Sequence, residues 1–429
     1  MKRILQYILR IFSKIILRKY KPEIVAITGS VGKTSAKEAI YQVLGKYFRV
    51  RSNKRNYNNE IGVPLTILGI EGGGGSFLLW AKVFLRAIRI IISGRDYPEI
   101  LVLEMGVDRP GDMAYLTGFV PVDAAVITAI GEFPTHLEFF PEKDELIGEK
   151  SILAKSVVKE GLVVLNYDDI SVRMMADGLP EGIKTITYGF GEGASIQISN
   201  YNFYLSDLDK GDYGATFKLE YEGSIVPFRV EKMIGKQQVF AVAAAAGVGM
   251  GFGLNLVEIS NAFKKMFNLP GRTNLIKGIK KSWVIDDTYN ASPLATIAAL
   301  GILEEIYLTA DKPAARKIAV LGDMLELGKD MEVAHRQVGQ KAAGVASLIF
   351  TVGGRARFIA DEAIKSGFNK ENVFEFDEPS AAALKLQEEL KPEDIVLIKG
   401  SRSIHMEKAV KEIMAEPGKA DELLVKNGF

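Results

Sequence analysis

Residues 28–35 read Thr28-Gly29-Ser30-Val31-Gly32-Lys33-Thr34-Ser35, which is the composition of a turn that grips phosphate. Gly29 and Gly32 allow backbone N–H groups to converge on phosphate oxygens, and the start of a following helix adds its positive dipole end. In such a turn Lys33 reaches the terminal phosphates and the Thr34 hydroxyl holds Mg²⁺, so residues 29–35 are the candidate nucleotide-binding set. The spacing is the shorter G-x-x-G-K-T, with Ile27 where the longer template has its first glycine. Two further residues suit the same chemistry. Glu104 follows the apolar run 100–103, which brings its carboxylate out at a strand end, and His136 lies beyond the next such run, 124–128. Oxygen donors from Thr34 and Glu104 suit Mg²⁺. Taken singly, Glu104 reads equally as a solvated strand-end residue and His136 as a satisfied surface or core residue; the phosphate turn is what ties them to catalysis. The chain has no Cys, which excludes disulfides, zinc-thiolate sites, iron–sulfur clusters and cysteine nucleophiles.

These residues need a sheet to hold them. A β-rich run at 23–28 enters the turn, and a helical stretch follows from 34 to about 47. Apolar strands at 100–103, 124–128 and 162–166 are spaced for crossover helices, as a parallel sheet requires. Between about 185 and 230 short alternating strands separated by Gly and Asp turns predict a small antiparallel unit. Helices near 238–249 and 256–266 lead to Leu269-Pro270-Gly271, a plausible boundary, and strands at 282–285, 317–321, 348–352 and 395–398 alternate with helices beyond it. The fold class is α/β. We divide the chain into a basic helix (1–21), a central P-loop ATPase-like parallel-sheet domain with its small antiparallel unit (22–269), and a Rossmann-like C-terminal domain (270–429).

Length and composition fit a globular enzyme of two or three domains: 429 residues, 48% hydrophobic and 25% charged. A net charge of +1 argues against a general nucleic-acid binder, yet that total conceals a split. The first 21 residues hold seven basic side chains and no acid; removing the seven from 54 Lys and Arg leaves 47 against 53 acids. That stretch forms an amphipathic helix, with Arg3, Arg10, Lys14 and Arg18 on one side and Ile4, Ile8, Ile11, Phe12 and Ile15 opposite. It lacks the apolar core of a signal peptide and the length of a membrane span. A second basic amphipathic segment, 77–93, repeats Lys82, Arg86 and Arg89 at i, i+4 and i+7. Such helices either lie on an anionic membrane or pack against the body or a partner protein.

The phosphate turn joins other motifs in a recognisable order: Asn56-Tyr57-Asn58-Asn59-Glu60-Ile61-Gly62, Glu104-Met105-Gly106, His136-Leu137-Glu138, Pro270-Gly271-Arg272, Asp286-Asp287-Thr288-Tyr289-Asn290, Leu321-Gly322-Asp323-Met324-Leu325-Glu326, His335 and Lys399-Gly400-Ser401-Arg402. Over roughly residues 22–410 the chain resembles the Mur ligases, in particular the member that adds D-alanyl-D-alanine to the muramoyl tripeptide of peptidoglycan. The resemblance implies an ATP- and Mg²⁺-dependent amide ligase working through an acyl phosphate. It implies Glu104 and His136 near a second metal ion and a carbamylated Lys150 as a carboxylate-like metal ligand, unless Lys150 is an exposed helix lysine. Lys33, His136 and Lys150 are thus the candidate catalytic residues. Arg272 resembles a residue reaching the ATP phosphates across the cleft, and Asp287 one contacting the ribose. Asn58, Asn59, Asn290, Ser401 and Arg402 are candidates for the substrate, as is His335 for the incoming dipeptide, although a helix-surface His reads the same way.

Three departures from that family stand out. Only 28 residues precede Gly29, where the family places a uridine-nucleotide-binding domain. Gly235-Lys236-Gln237 with Ala241 stands where the family has Gly-Lys-His and an adenine-contacting Asn, and Ala129 replaces an Asn before the His motif. Retained ligase chemistry with altered acceptor recognition is the expectation: small muramoyl-peptide and dipeptide substrates, no nucleic acid, a cytoplasmic location with peripheral membrane contact through 1–21 and 77–93, or a partner protein replacing the domain. A glutamate-adding ligase and a non-catalytic ATP-binding scaffold are the rivals.

Overall fold

The computed structural model describes residues 2–54, 57–94, 96–207, 210–266, 269–306 and 316–426. Asn56 of the Asn-rich motif lies outside them.

Nine strands form the first sheet: β1 (Glu23–Thr28), β2 (Val50–Ser52), β3 (Ile100–Glu104), β4 (Val122–Ile127), β5 (Val157–Asn166), β6 (Lys184–Gly189), β7 (Ile196–Asp207), β8 (Asp212–Tyr221) and β9 (Ser224–Glu231). Their spatial order is β2-β3-β1-β4-β5-β6-β7-β8-β9. β1 is therefore flanked by β3 on one side and β4 on the other, both parallel to it. The connection after β1 leads towards β2 at one edge, and the chain then crosses to β4 on the other side. Carboxyl ends of strands open a crevice at such a reversal, and the phosphate turn sits there. β1 is buried on both faces: Val25 and Ile27 enter one core, Ile24 and Ala26 the other.

The antiparallel unit expected at 185–230 is present as β7, β8 and β9, but it is not separate. β7 pairs with β6 through Tyr188↔Ile196 and Gly189↔Gln197, so the hairpins extend the central sheet. Tyr188, Ile196, Phe217 and Phe228 consequently share the core of β1.

Helices cover both faces. On one lie α1 (Lys2–Tyr20), α3 (Gly62–Leu68), α4 (Phe77–Ile92), α5 (Asp112–Thr117) and α6 (Lys143–Lys155); on the other, α2 (Lys33–Leu44) packs on the helix Lys236–Gly251. The latter is rich in Ala and Gly, which permits close approach: a Cβ on Gly247 would come within 2.8 Å of Val164.

α1 docks differently from its simple amphipathic reading. Leu9, Ser13, Ile16 and Leu17 are buried, whereas Ile4, Ile11 and Ile15 of the anticipated apolar face are exposed. The helix has two apolar sides, and the sheet takes the one with Leu9 and Leu17 because those residues meet the core beside Ile24 and Ala26.

The second sheet contains β10 (Asn274–Lys277), β11 (Trp283–Asp286), β12 (Lys317–Gly322), β13 (Leu348–Val352), β14 (Val373–Phe376) and β15 (Ile395–Lys399) in the order β10-β11-β15-β12-β13-β14. Only the β10–β11 pairing is antiparallel. β15 separates β11 from β12, so the segments following β11, β12 and β15 emerge side by side.

Candidate active site

Strand β1 ends at Thr28, and the chain must then turn sharply to start α2. Gly29 has φ 146° and Gly32 φ 91°; a Cβ on Gly29 would stand 2.0 Å from Thr128 Oγ1. Both positions therefore need glycine. Ser30 and Val31 donate their N–H groups to the carbonyl of Ala129, at 2.7 and 2.9 Å. Ala129 thus serves the turn through its backbone. Ser30 Oγ is buried without a partner, and Lys33 Nζ folds back onto the carbonyls of Gly29 (2.7 Å) and Ser30 (3.2 Å). Burial pushes the Lys33 ammonium below its ordinary range, offset by Glu104 and accentuated by Arg272. An orphan hydroxyl and a desolvated cation at a helix N-terminus are donors waiting for an anion, which fits a phosphate group.

Beside the turn, Thr34 Oγ1 donates to Glu104 Oε2 at 3.0 Å and Asn58 Nδ2 to Glu104 Oε1 at 3.2 Å. Asn53 fixes the backbone of the same residue, accepting from Glu104 N at 2.6 Å and donating to Glu104 O at 3.2 Å. Among the described residues no group of three or more His, Cys, Asp or Glu forms a metal cage. One carboxylate and one hydroxyl instead fit Mg²⁺, which keeps waters and takes the rest of its oxygens from phosphate. His136, in the left-handed conformation at φ 71°, faces the same cleft. Its Nδ1 is 2.8 Å from Glu326 Oε2, and its Nε2 is 3.8 Å from Asp108 Oδ1. The His136 imidazole lowers the Glu326 carboxyl.

Lys150 is not the exposed helix lysine of the alternative reading. It is fully buried on α6, with Nζ 3.2 Å from the carbonyl of Gly29. Desolvation, then the charge of Lys33, drives its pKa far down. That direction favours the uncharged amine at this position.

The second lobe supplies the opposite wall of a cleft of about 320 Å³. Arg272 lies over the Tyr289 ring at 4.0 Å and donates to Thr34 Oγ1 at 3.4 Å, linking the two lobes. Asp287 Oδ2 pairs with the buried Lys399 Nζ at 2.6 Å, and Lys399 also donates to the carbonyl of Asn290. Asn290 Oδ1 accepts from the N–H groups of Ala291 and Arg402. Arg402 lines the cleft while pairing with Glu407 at 3.2 Å. Next to the turn a second cavity of about 440 Å³ is walled by Val31, Tyr188, Phe240, Ala241 and Leu294, with Gln237 at its edge. Its flat apolar sides and contact with the phosphate turn suit a nucleotide base.

Three expected substrate contacts are committed elsewhere. His335 is wholly buried: Nε2 accepts from Met324 N at 3.0 Å and Nδ1 donates to the Met331 carbonyl at 2.7 Å. Nε2 holds the loop after β12 and Nδ1 bonds back to the first residue of its own helix, Met331–Val345, and burial lowers the His335 pKa. Asn59 Oδ1 accepts from Ile61 N and Gly62 N, organising the start of α3. Ser401 Oγ accepts from Leu325 N at 2.9 Å. Their helix and loop positions gave no sign of these local bonds. Conversely, Asn53, Asp108, Glu326 and Lys399 shape the site without having been singled out; for Glu326 and Lys399 the signal was their place within the quoted motifs.

A phosphate-gripping turn at the reversal point of one parallel sheet, facing the strand ends of another, defines a two-lobed nucleotide-binding α/β protein. The family models of the Mur ligase middle domain and of the Mur ligase glutamate ligase domain match residues 27–79 and 90–249, and 271–402. The chain belongs to the Mur ligase family. It is 28% identical to the UDP-N-acetylmuramoyl-tripeptide--D-alanyl-D-alanine ligase of Bacillus subtilis over 94% of this chain and 79% of that one, and 30% identical to the Mycobacterium leprae enzyme of the same name over 89% and 71%. The crystal structure of the MurF ligase from Thermotoga maritima in complex with ADP superposes with a TM-score of 0.76 at 25% identity, covering 96% of this chain and 84% of that one.

Proposed function

We propose that the protein joins D-alanyl-D-alanine, or a similar dipeptide, to the carboxylate of a muramoyl tripeptide at the expense of ATP. The acceptor carboxylate oxygen bonds to the γ-phosphorus as ADP departs. The dipeptide nitrogen then bonds to the acyl carbon, phosphate leaves, and the amine gives up a proton. The observation that carries this reading is the meeting of Thr34 and Glu104 with Arg272 across one cleft: a phosphate- and metal-binding wall opposite a cationic one. Mg²⁺ held by Thr34 and Glu104 would supply charge neutralisation for the transferring phosphoryl group. Lys33 and Arg272 orient the phosphates, Asp287 with Lys399 holds the nucleotide side of the second lobe, and Asn58, Asn290 and Arg402 border the acceptor. Closure of the lobes keeps water from the reactive acyl group. A carbamate on Lys150 would place a negative charge behind the turn. Names of the curated relatives support the dipeptide and the UDP-linked acceptor; Gln237 and Ala241 make the base pocket this chain's own. A peripheral position at the membrane is a separate proposal, supported by the surface of α1 and α4.

Phosphate release from ATP tests the proposal when both an acceptor and a dipeptide are required. D-Ala-D-Ala, D-Ala-D-Lac, D-Ala-D-Ser and glutamate are compared, each with UDP-linked and lipid-linked muramoyl tripeptide. Turnover that needs neither substrate, or needs glutamate alone, overturns it.

A further inference from the structure

We infer that α1 and α4 together form a platform that lies on an anionic lipid bilayer. The two helices run side by side in the same direction. Phe12 meets Phe84 with ring centroids 5.9 Å apart, and near their ends Lys19 and Tyr20 donate to the carbonyls of Ile90, Ile91 and Ser93. Their inner sides enter the core through Leu9, Ile16, Val83 and Ala87. The outer sides are not polar. Ile4 is 66% exposed on α1, and Leu85 and Ile92 are 67% and 78% exposed on α4, accompanied by Ile11, Ile15 and Ile88.

At about 100° per residue the charges fall in register with that strip. On α1, Arg3, Lys14 and Arg18 lie on the edge away from α4; on α4, Lys82, Arg86 and Arg89 lie on the edge away from α1. The surface therefore reads basic, apolar, apolar, basic from one margin to the other. Neither helix contains an acid, and among the described residues none of these six cations pairs with a carboxylate. An apolar strip bordered on both sides by unpaired cations is complementary to acyl chains beneath anionic headgroups. A second copy of the chain fits less well, because joining two such strips would oppose like-charged margins. No helix among the described residues is long and apolar enough to cross a membrane, so the contact proposed is lateral.

A second observation separates the platform from the ligase machinery. The family model of the middle domain begins at residue 27 and leaves 80–89 unmatched, and those stretches contain all of α1 and most of α4, including Lys82, Arg86 and Arg89. That surface therefore lies mostly outside the stretches that the family's domain model matches. The cleft does not use it, so this inference stands whether or not the ligase reading does.

The test is co-sedimentation of the full chain with phosphatidylcholine vesicles, with and without one third phosphatidylglycerol. Binding is expected only to the anionic vesicles and should weaken as salt rises. The triple variant Lys82→Glu, Arg86→Glu, Arg89→Glu is expected to lower the partition coefficient at least tenfold, since each cation near such a surface contributes about fivefold. A second variant, Leu85→Ser with Ile92→Ser, is expected to weaken binding while melting at an unchanged temperature. Absence of binding to anionic vesicles, equal binding to neutral ones, or full binding by both folded variants overturns the proposal. So does a wild-type dimer that the serine variant converts to monomer, because the strip would then be a self-interface. ATP turnover measured without vesicles reports on the ligase reading separately.

Discussion

Lys150 is the residue whose chemistry depends most on its surroundings. Its amine is buried against Gly29, and desolvation and then Lys33 push its pKa down; with a carbamate at this position as proposed, the Lys150→Ala variant should lose at least a hundredfold in turnover, with partial recovery on adding a short carboxylate. Recovery reads out a missing negative charge; unchanged activity of the Ala variant removes Lys150 from the site. His335 makes the opposite prediction. Replacing it by Ala strands the Met324 N–H and should cost about 2 kcal/mol in urea unfolding, leaving the KM for the dipeptide unchanged. An altered KM at full stability would restore the substrate role. Asp286, buried among Gly271 and Thr288, has its carboxyl raised to about 6 by desolvation. A folded pKa above the unfolded one means that its contribution is complete below about pH 4 and is lost as pH rises through 6. The stability of wild type relative to Asp286→Asn should therefore decline between pH 4 and 7. Thr34, Glu104 and Lys33 could be read from residue type and neighbours. The duties of His335, Asn59 and Ser401 could not, because polar side chains that bond to backbone look the same in sequence as those that face a ligand.

At the scale of elements, glycines divide into those that the geometry demands and those it tolerates. Gly29→Ala would drive a Cβ into Thr128 at a positive φ, and ADP affinity measured by calorimetry should fall at least tenfold. Gly148→Ala, in α6 with no atom near the added Cβ, should instead raise stability by about 0.5–1 kcal/mol. The alternation of strands and helices was legible throughout: apolar runs marked β1, β3 and β12 almost to the residue. The joining of β7 to β6 was not, because two shared pairs of residues leave no pattern in composition. Nor was the orientation of α1, since a helix apolar on two sides has two ways to dock and only the partner surface selects one.

For the molecule as a whole, the consequential contact is the one between lobes, where Arg272 stacks on Tyr289 and reaches Thr34. Arg272→Lys keeps the charge but loses the planar stack, so turnover should fall at least tenfold while the affinity of the full chain for ADP changes little; a matching loss in both would mean that Arg272 only binds nucleotide. The split of charge between the first 21 residues and the acidic remainder was visible in the sequence, as was the absence of cysteine. The sequence by itself determined the phosphate turn, the oxygen donors for a metal and the α/β alternation, because each depends on residues close together in the chain or on their periodicity. Tertiary structure alone decided that Glu104, seventy residues beyond Thr34, shares a hydrogen bond with it, that Lys150 is buried rather than solvated, and that two distant basic helices present one surface. Those facts depend on strand order and helix docking, and packing free energy sets both across separations that no local pattern encodes.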